Sequence, residues 1–413
     1  MMPLIYIFLF LLLVYYYFSG KEIGFGFLFS FGALFYILTP YIIYTYGFFD
    51  GYPGIELWKE SFNLSLSRYK WVYLYFFICS FVVVFIDFLF SRLTSNKVNT
   101  QSFYISHIGG IFALLFITVI LLVFWFKSYQ AGMLFQGYAV SYDTGLMGNM
   151  ATANLFSNFM AIYFFLNSKR KLSLLFSMLI AINSIFLLSM GGRMYVVTII
   201  LPWVFIYLAN RTALYSRVKI LSLVLLLVLF MGIVGIWRLG MSDISFIGYI
   251  TMAEAIFTSI SISTFLHLNE NVPFLENGFY FISSLMGVLP SFIFPDKAQL
   301  FISPEQLGYK YESPLGATSL VVSLFTSFGY LGGLIYIMFV GLFMNILRVL
   351  ANKAFFLKTY YLCVLSIVPF IYFRETFYIS NRIVIFPFLI MPLIFYFFDR
   401  ILFLGFAKSK EVR

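Results

Sequence analysis

Long apolar runs recur along the whole chain and are separated mostly by short polar stretches. A helix needs about 20 mostly apolar residues to cross the hydrocarbon core of a bilayer, and there only helices and closed barrels satisfy their own backbone groups. These runs are far longer than barrel strands and show no alternation. Only 10% of the residues are charged, too few to cover a water-exposed globule. The sequence therefore predicts an all-α, polytopic membrane helix bundle.

We expect about 11 transmembrane helices, or as many as 13 if the apolar stretches 247–268 and 279–294 form extra or re-entrant helices. The predicted spans cover residues 3–18, 24–46, 71–91, 103–126, 149–166, 172–189, 194–209, 218–237, 320–345, 359–373 and 383–402. The long segment between the eighth and ninth spans predicts a folded cap. The predicted organisation is therefore an N-terminal bundle (1–237), a cap loop with short or re-entrant helices (238–319) and a C-terminal bundle (320–413).

Basic residues are concentrated on one side of this topology. Sixteen of the 26 Lys and Arg residues lie in one set of alternate loops, which holds only four of the 16 acidic residues. The positive-inside rule assigns that set to the cytoplasm, so the cap and the loops 47–70 and 128–148 face outward. The net charge of +10 is thus a topology signal and does not support nucleic-acid binding.

Four arginines lie at the outward ends of predicted spans: Arg193, Arg238, Arg374 and Arg382. Outward loops are normally poor in basic residues, and a guanidinium binds phosphate oxygens through two parallel hydrogen bonds without a metal. Arg193 follows two glycines at a predicted helix start, where free backbone N–H groups would meet an anion. We predict a lipid-diphosphate site at these arginines; the alternative is that they anchor helices at the headgroups.

Two residues are candidates for a general base. His267 lies in the predicted cap, and histidine changes its charge near neutral pH, which suits it to accept a proton from a sugar hydroxyl. Glu254 lies in an apolar run, where desolvation of its carboxylate is expected. A structural role remains open for both. Asn154, Asn158 and Asn183 lie within predicted spans and are expected to form hydrogen bonds between helices.

Several chemistries lack their motifs. No two acidic residues lie within two positions of each other, so there is no Asp-x-Asp site for a metal–nucleotide-sugar complex, and no phosphate-binding loop is present. Two histidines and two cysteines within apolar runs do not predict a zinc site. We therefore expect no metal, no cofactor and no cytosolic nucleotide substrate.

Three motifs then carry a family resemblance. Gly191-Gly192-Arg193-Met194 opens a predicted helix, Leu289-Pro290 and Pro295-Asp296-Lys297 form a proline-rich turn, and Phe328-Gly329-Tyr330-Leu331-Gly332-Gly333 enters a span. With many spans and one large external loop, the chain resembles O-antigen polymerases, the Wzy-type oligosaccharide repeat-unit polymerases. It departs from their pattern before the Phe-Gly step, where Ser323 and Thr326 stand near the position at which the family often has an acidic residue.

This resemblance implies a metal-independent, GT-C-like glycosyltransferase in the bacterial inner membrane, with its active site facing the periplasm. Such an enzyme would transfer the growing glycan from undecaprenyl diphosphate to the non-reducing end of a new lipid-linked repeat unit. Its partners would be undecaprenyl-diphosphate-linked oligosaccharides, membrane lipid and, as a candidate, a polysaccharide chain-length regulator. The alternatives are an O-antigen ligase and, in a different class, a lipid-linked oligosaccharide flippase.

Overall fold

The computed structural model describes residues 2–20, 22–52, 54–91, 103–134, 144–209, 211, 213–238, 243–269, 271–289, 294–316 and 318–411. Within these ranges every regular element is helical. The α-helices are α1 Met2–Phe18, α2 Phe25–Ala33, α3 Thr39–Tyr46, α4 Ile55–Ser91, α5 His107–Gln130, α6 Thr144–Leu166, α7 Arg170–Met190, α8 Arg193–Ala209, α9 Leu214–Arg238, α10 Ile247–Leu268, α11 Phe279–Ser284, α12 Leu320–Ala351, α13 Phe355–Ile367, α14 Ile371–Arg374, α15 Phe377–Ile385 and α16 Met391–Glu411. Two π-helical turns, Leu34–Leu38 and Phe386–Ile390, join α2 to α3 and α15 to α16.

Eight helices of the described part of the chain are long and apolar enough to cross a membrane. Seven of them match predicted spans, and the eighth is α10, inside the predicted cap segment. The predicted spans 3–18, 194–209 and 359–373 correspond to the shorter apolar helices α1, α8 and α13, whereas the predicted span 149–166 lies within α6, which is not among the eight candidates. The helical membrane-protein class is therefore confirmed, whereas the count of eleven stays a prediction.

The chain forms two compact units, which cut across the three segments predicted from the sequence. The first unit comprises Met1–Leu93, Val204–Ile346 and Ile367–Arg382; the second comprises Thr94–Trp203, Leu347–Ser366 and Ile383–Arg413. In the first unit, α2, the π turn and α3 pack against α4 and α10. In the second unit, α6 packs against α5, α7 and α16.

Helix α4 of the first unit corrects the predicted loop 47–70, because the helix already begins at Ile55. At about 1.5 Å per residue, 37 residues extend about 55 Å, well beyond the roughly 30 Å hydrocarbon core. Trp58, Phe62 and Tyr69 recur at helical spacing and are buried, whereas Glu56 and Glu60 are exposed. The first part of α4 alternates buried apolar and exposed charged residues, so the criterion of a uniformly apolar run does not predict it.

An extended segment crosses a break in α12 in the first unit. Gly329 has φ 69° and ψ −167° inside the helix, which separates Leu320–Phe328 from the rest of α12. The carbonyls of Ser327 and Phe328 accept hydrogen bonds from residues 278 and 276, and the N–H groups of residues 330 and 331 donate to residues 273 and 274. We call residues 273–278 the strap; it satisfies backbone groups that the break releases.

Aspartates cap helices that lie far away in sequence. In the first unit, Asp87 is 2% exposed; its carboxylate accepts from the backbone N–H of Gly26 at 2.8 Å and from the Asn345 amide at 2.6 Å. In the second unit, Asp399 accepts from the backbone N–H of Ser106 at 2.7 Å and also bonds its hydroxyl. Each carboxylate therefore lies at a helix N-terminus, where a negative charge is favourable.

The predicted hydrogen bonds from Asn154 and Asn158 to neighbouring helices are confirmed in the second unit. Asn158 on α6 donates to the carbonyl of Ile199 at 3.1 Å and accepts from the Trp203 indole at 2.9 Å, both on α8. Asn154 donates to Ser184 on α7 at 3.1 Å. Amides on α6 thus link it to both neighbouring helices, as expected for polar groups in an apolar medium.

Candidate functional site

A cluster of three charged side chains lies inside the first unit. Arg374, at the end of α14, places its Nε atom 2.8 Å from Oε2 of Glu254 on α10, and a guanidinium nitrogen of the same residue contacts Oε1 of Glu375. The side chains of Arg374 and Glu254 are 20% and 24% exposed, and that of Glu375 is 7% exposed. We call these three residues the charge cluster. Two residues predicted from the sequence, Glu254 and Arg374, are brought together here.

Local packing fixes the position of Arg374. Helix α14 is a single turn, and its first three residues, Ile371–Phe373, are buried. The Phe373 ring lies parallel to the Tyr36 ring, with an interplanar angle of 4° and a centroid distance of 6.2 Å. A Cβ atom at Gly32 would overlap the Phe373 ring, so the glycine is needed for this close approach. The guanidinium is therefore attached to a backbone that is packed on both sides.

Tyr36 is a further residue of this site that the sequence did not single out. It is fully buried, and the charges of Glu254, Arg374 and Glu375 all act on its phenol. It lies in the π turn Leu34–Leu38, halfway along the 22-residue candidate span Phe25–Tyr46. π turns within α-helices are frequent at functional sites.

The charge cluster carries one net negative charge when all three groups are ionised. Glu375 lies between α14 and α15, outside the eight candidate spans. Burial raises the pKa of Glu375, and the Arg374 guanidinium opposes that rise. Because a buried charge is costly without a partner, a proton on Glu375 would leave a neutral cluster that consists of the Arg374–Glu254 pair.

The two candidate bases occupy different places on α10. His267 is exposed in the last turn of the helix, thirteen residues after Glu254. At about 1.5 Å per residue, the two lie about 20 Å apart along the helix axis. Since a base must come within about 3 Å of the proton that it accepts, they cannot serve the same hydroxyl in this arrangement. Glu254 lies in the charge cluster, whereas His267 lies outside it.

Arg382 lies in α15 close to a second cation. Burial and the charge of Arg382 both lower the pKa of Lys297, burial being the larger cause. The Lys297 side chain donates to the carbonyl of Leu289, and the Ser284 hydroxyl accepts from Asn381 at 2.8 Å. The segment that follows α11 therefore packs over the region of α15 that contains Arg382. We call Arg382 and Lys297 the basic pair; two neighbouring cations favour an anion between them.

Arg193 begins α8 in the second unit and is half-buried. The prediction that the backbone N–H groups of Gly191 and Gly192 are free to bind an anion is wrong, because they donate to the carbonyls of Leu188 and Leu187. They complete the C-terminus of α7, where Gly191 adopts φ 95°. Arg238 ends α9, but its side chain lies outside the described part of the structure.

Comparison of the chain with models of protein families, with curated proteins and with solved structures finds no match. Among the described residues, no group of three or more His, Cys, Asp or Glu side chains is arranged to hold a metal ion.

Proposed function

We propose that the protein polymerises undecaprenyl-diphosphate-linked oligosaccharide repeat units on the periplasmic face of a bacterial inner membrane. The observation that carries this proposal is the charge cluster, in which the Glu254 carboxylate contacts the Arg374 guanidinium. An acceptor for a sugar proton is thereby held beside a cation inside a membrane-embedded unit. The resemblance of the Phe328-Gly329 step and of the proline-rich turn to Wzy-type polymerases adds support.

In the proposed reaction, a sugar hydroxyl of the acceptor attacks the anomeric carbon of the donor, and undecaprenyl diphosphate leaves. Glu254 accepts the hydroxyl proton, and Arg374 orients its carboxylate. The basic pair, Arg382 and Lys297, is better suited to the departing diphosphate than Arg374, because Arg374 already contacts two carboxylates. Fixed cations stabilise the charge that develops on the leaving group without further reorganisation.

A lipid-linked oligosaccharide flippase is the second candidate, and the position of Glu254 within a candidate span favours it. The sequence placed charged residues at the ends of spans, which argued against a carrier. In the structure, Glu254 instead lies within the candidate span Ile247–Leu268, and charged groups inside spans are typical of substrate and proton pathways. Lipopolysaccharide from cells that lack the protein separates the candidates: a single capped repeat unit indicates a polymerase, whereas its absence indicates a flippase or a ligase.

Turnover of purified lipid-linked repeat units tests the assignment of the base. We expect Glu254→Gln to lose the general-base contribution of about 10²- to 10⁴-fold in rate, because the amide cannot accept the proton. His267→Ala is the matched control on the same helix, and it should retain the wild-type rate. A wild-type rate for Glu254→Gln would remove this carboxylate from the mechanism, and loss of activity in His267→Ala alone would transfer the role to the histidine.

A further inference from the structure

Among the buried hydroxyl groups of the first unit that have no hydrogen-bond partner in the described residues are those of Tyr280, Ser323, Ser327 and Ser380. Tyr280, Ser323 and Ser327 are 0% exposed, and Ser380 is 3% exposed. We call these four residues the hydroxyl cluster. A buried hydroxyl normally finds a partner in protein or ordered water, so each unpaired one requires an explanation.

The usual internal solution for a helical hydroxyl is absent from this cluster. Ser and Thr side chains within helices commonly donate to a carbonyl three or four residues earlier. Thr326 does so on the same helix as Ser323 and Ser327, at 2.8 Å from the carbonyl of Val322. Ser283, three residues after Tyr280 on α11, donates to the Tyr280 carbonyl at 3.0 Å. The hydroxyl cluster therefore retains its hydrogen-bonding capacity where its neighbours do not.

These hydroxyls converge beside the charge cluster. Ser323 and Ser327 are four residues apart and share one face of α12. The hydroxyls of Ser323 and Thr376 both act on the Tyr280 phenol, although no aligned hydrogen bond joins them to it. Thr376 directly follows Glu375 and lies four residues before Ser380. The hydroxyls of Tyr280, Ser323 and Thr376 thus lie together beside Glu375, and Ser327 and Ser380 each follow one helical turn after a member of this group.

We propose that the hydroxyl cluster is an internal binding site for hydroxyl-bearing molecules, either water or the hydroxyls of a sugar, adjacent to Glu375. Hydroxyl groups both donate and accept, so they match ligands that do the same. The four residues carry no charge, which disfavours an ion, and an apolar occupant would leave their hydroxyls unpaired. A sugar as occupant rests on the proposed function, whereas the existence of the site does not.

Cysteine labelling tests the site in membranes. In a background in which the two native cysteines are replaced by alanine, Ser323→Cys and Ser380→Cys should react with a small charged methanethiosulfonate reagent. Ser65→Cys on α4 is the matched control, because Ser65 is 1% exposed but donates its hydroxyl to the Phe62 carbonyl at 3.2 Å. We expect at least about tenfold faster labelling in the cluster, because the reactive thiolate forms in a hydrated site and is suppressed in an apolar one.

Hydroxyl-radical footprinting of the unaltered protein provides a second measurement that needs no variant. Tyr280 should be oxidised faster than Tyr69, which is also 0% exposed but donates its hydroxyl to the Ile37 carbonyl at 3.2 Å. Labelling that slows when lipid-linked oligosaccharide is added identifies a sugar site, and unchanged labelling identifies a water site. If the cluster cysteines react as slowly as Ser65→Cys and Tyr280 is no more oxidised than Tyr69, the proposal is wrong, whether or not the protein polymerises glycans.

Discussion

Replacing Gly329 by alanine tests whether the helix break and its strap are essential to the fold. A Cβ atom at this position would overlap the carbonyl oxygen of Pro273 and lie 2.9 Å from the carbonyl carbon of Phe274. The conformation itself, φ 69° and ψ −167°, lies in a region that is populated essentially by glycine alone. The alanine variant therefore has to move the strap, change the backbone, or both.

The cost follows from these two effects. Holding a non-glycine residue in this backbone region costs about 1–3 kcal/mol. Displacing the strap would also break the hydrogen bonds from Tyr330 N to Pro273 O (3.2 Å) and from Leu331 N to Phe274 O (2.9 Å), at about 1 kcal/mol each. Together we expect Gly329→Ala to lower the free energy of unfolding by about 3–5 kcal/mol.

The native cysteines provide the assay. Cys79 and Cys363 are both buried, so a thiol-reactive fluorophore reports their exposure as detergent-solubilised protein is heated at a fixed rate. Gly341→Ala is the control on the same helix, because its Cβ would meet its nearest neighbour, Val83 Cγ1, at an ordinary 3.4 Å. The control should melt at or above the wild-type temperature, since alanine favours a helix over glycine by about 1 kcal/mol. Equal melting of the two variants would refute this account of the break.

Two further predictions concern buried carboxylates. Asp87→Ala should lower the free energy of unfolding by about 1–3 kcal/mol, because Gly26 N and the Asn345 amide lose their acceptor. The control Glu312→Ala, which removes an exposed carboxylate, should melt at the wild-type temperature. Equal melting of the two variants would contradict the capping role of Asp87. Burial raises the pKa of Glu375 above 4.5, so between pH 4.5 and the raised pKa the folded protein holds a proton that the unfolded chain releases. The stabilisation that comes from this proton is complete at low pH and is lost as pH rises from 4.5 through the raised pKa. Thermal scans across that range should show a flatter pH dependence for Glu375→Gln, and an unchanged slope would show that another group titrates.

The helical class could be predicted from the sequence because apolar runs of span length leave few alternatives in a membrane. The role of α10 was harder to predict, since Ser, Thr and Glu254 dilute its hydropathy. Its packing against α4 decides its place in the first unit, with the Trp58 indole donating to Ser259 at 2.7 Å. Such a hydrogen bond joins residues about 200 positions apart, and no local pattern encodes it.

The candidate site could be predicted only residue by residue. Glu254 and Arg374 were both identified from their unusual surroundings, but their contact joins positions 120 residues apart and depends on the fold. Tyr36 gave no signal, because 31 tyrosines and 56 phenylalanines make an aromatic residue in an apolar run unremarkable in this chain. The basic pair was missed for a similar reason: Lys297 belonged to a recognised turn, but its proximity to Arg382 is tertiary.

The carboxylate of Asp399 has a consequence for biosynthesis. It accepts the backbone N–H of Ser106, which precedes α5 and lies 293 residues earlier in the chain. Because a ribosome delivers helices in order, the amino end of α5 enters the bilayer long before this carboxylate exists. The second unit therefore completes its assembly only after residue 399 has been made, and a chain that stops before it would contain α5 and its Ser106 cap without the carboxylate that accepts the Ser106 N–H.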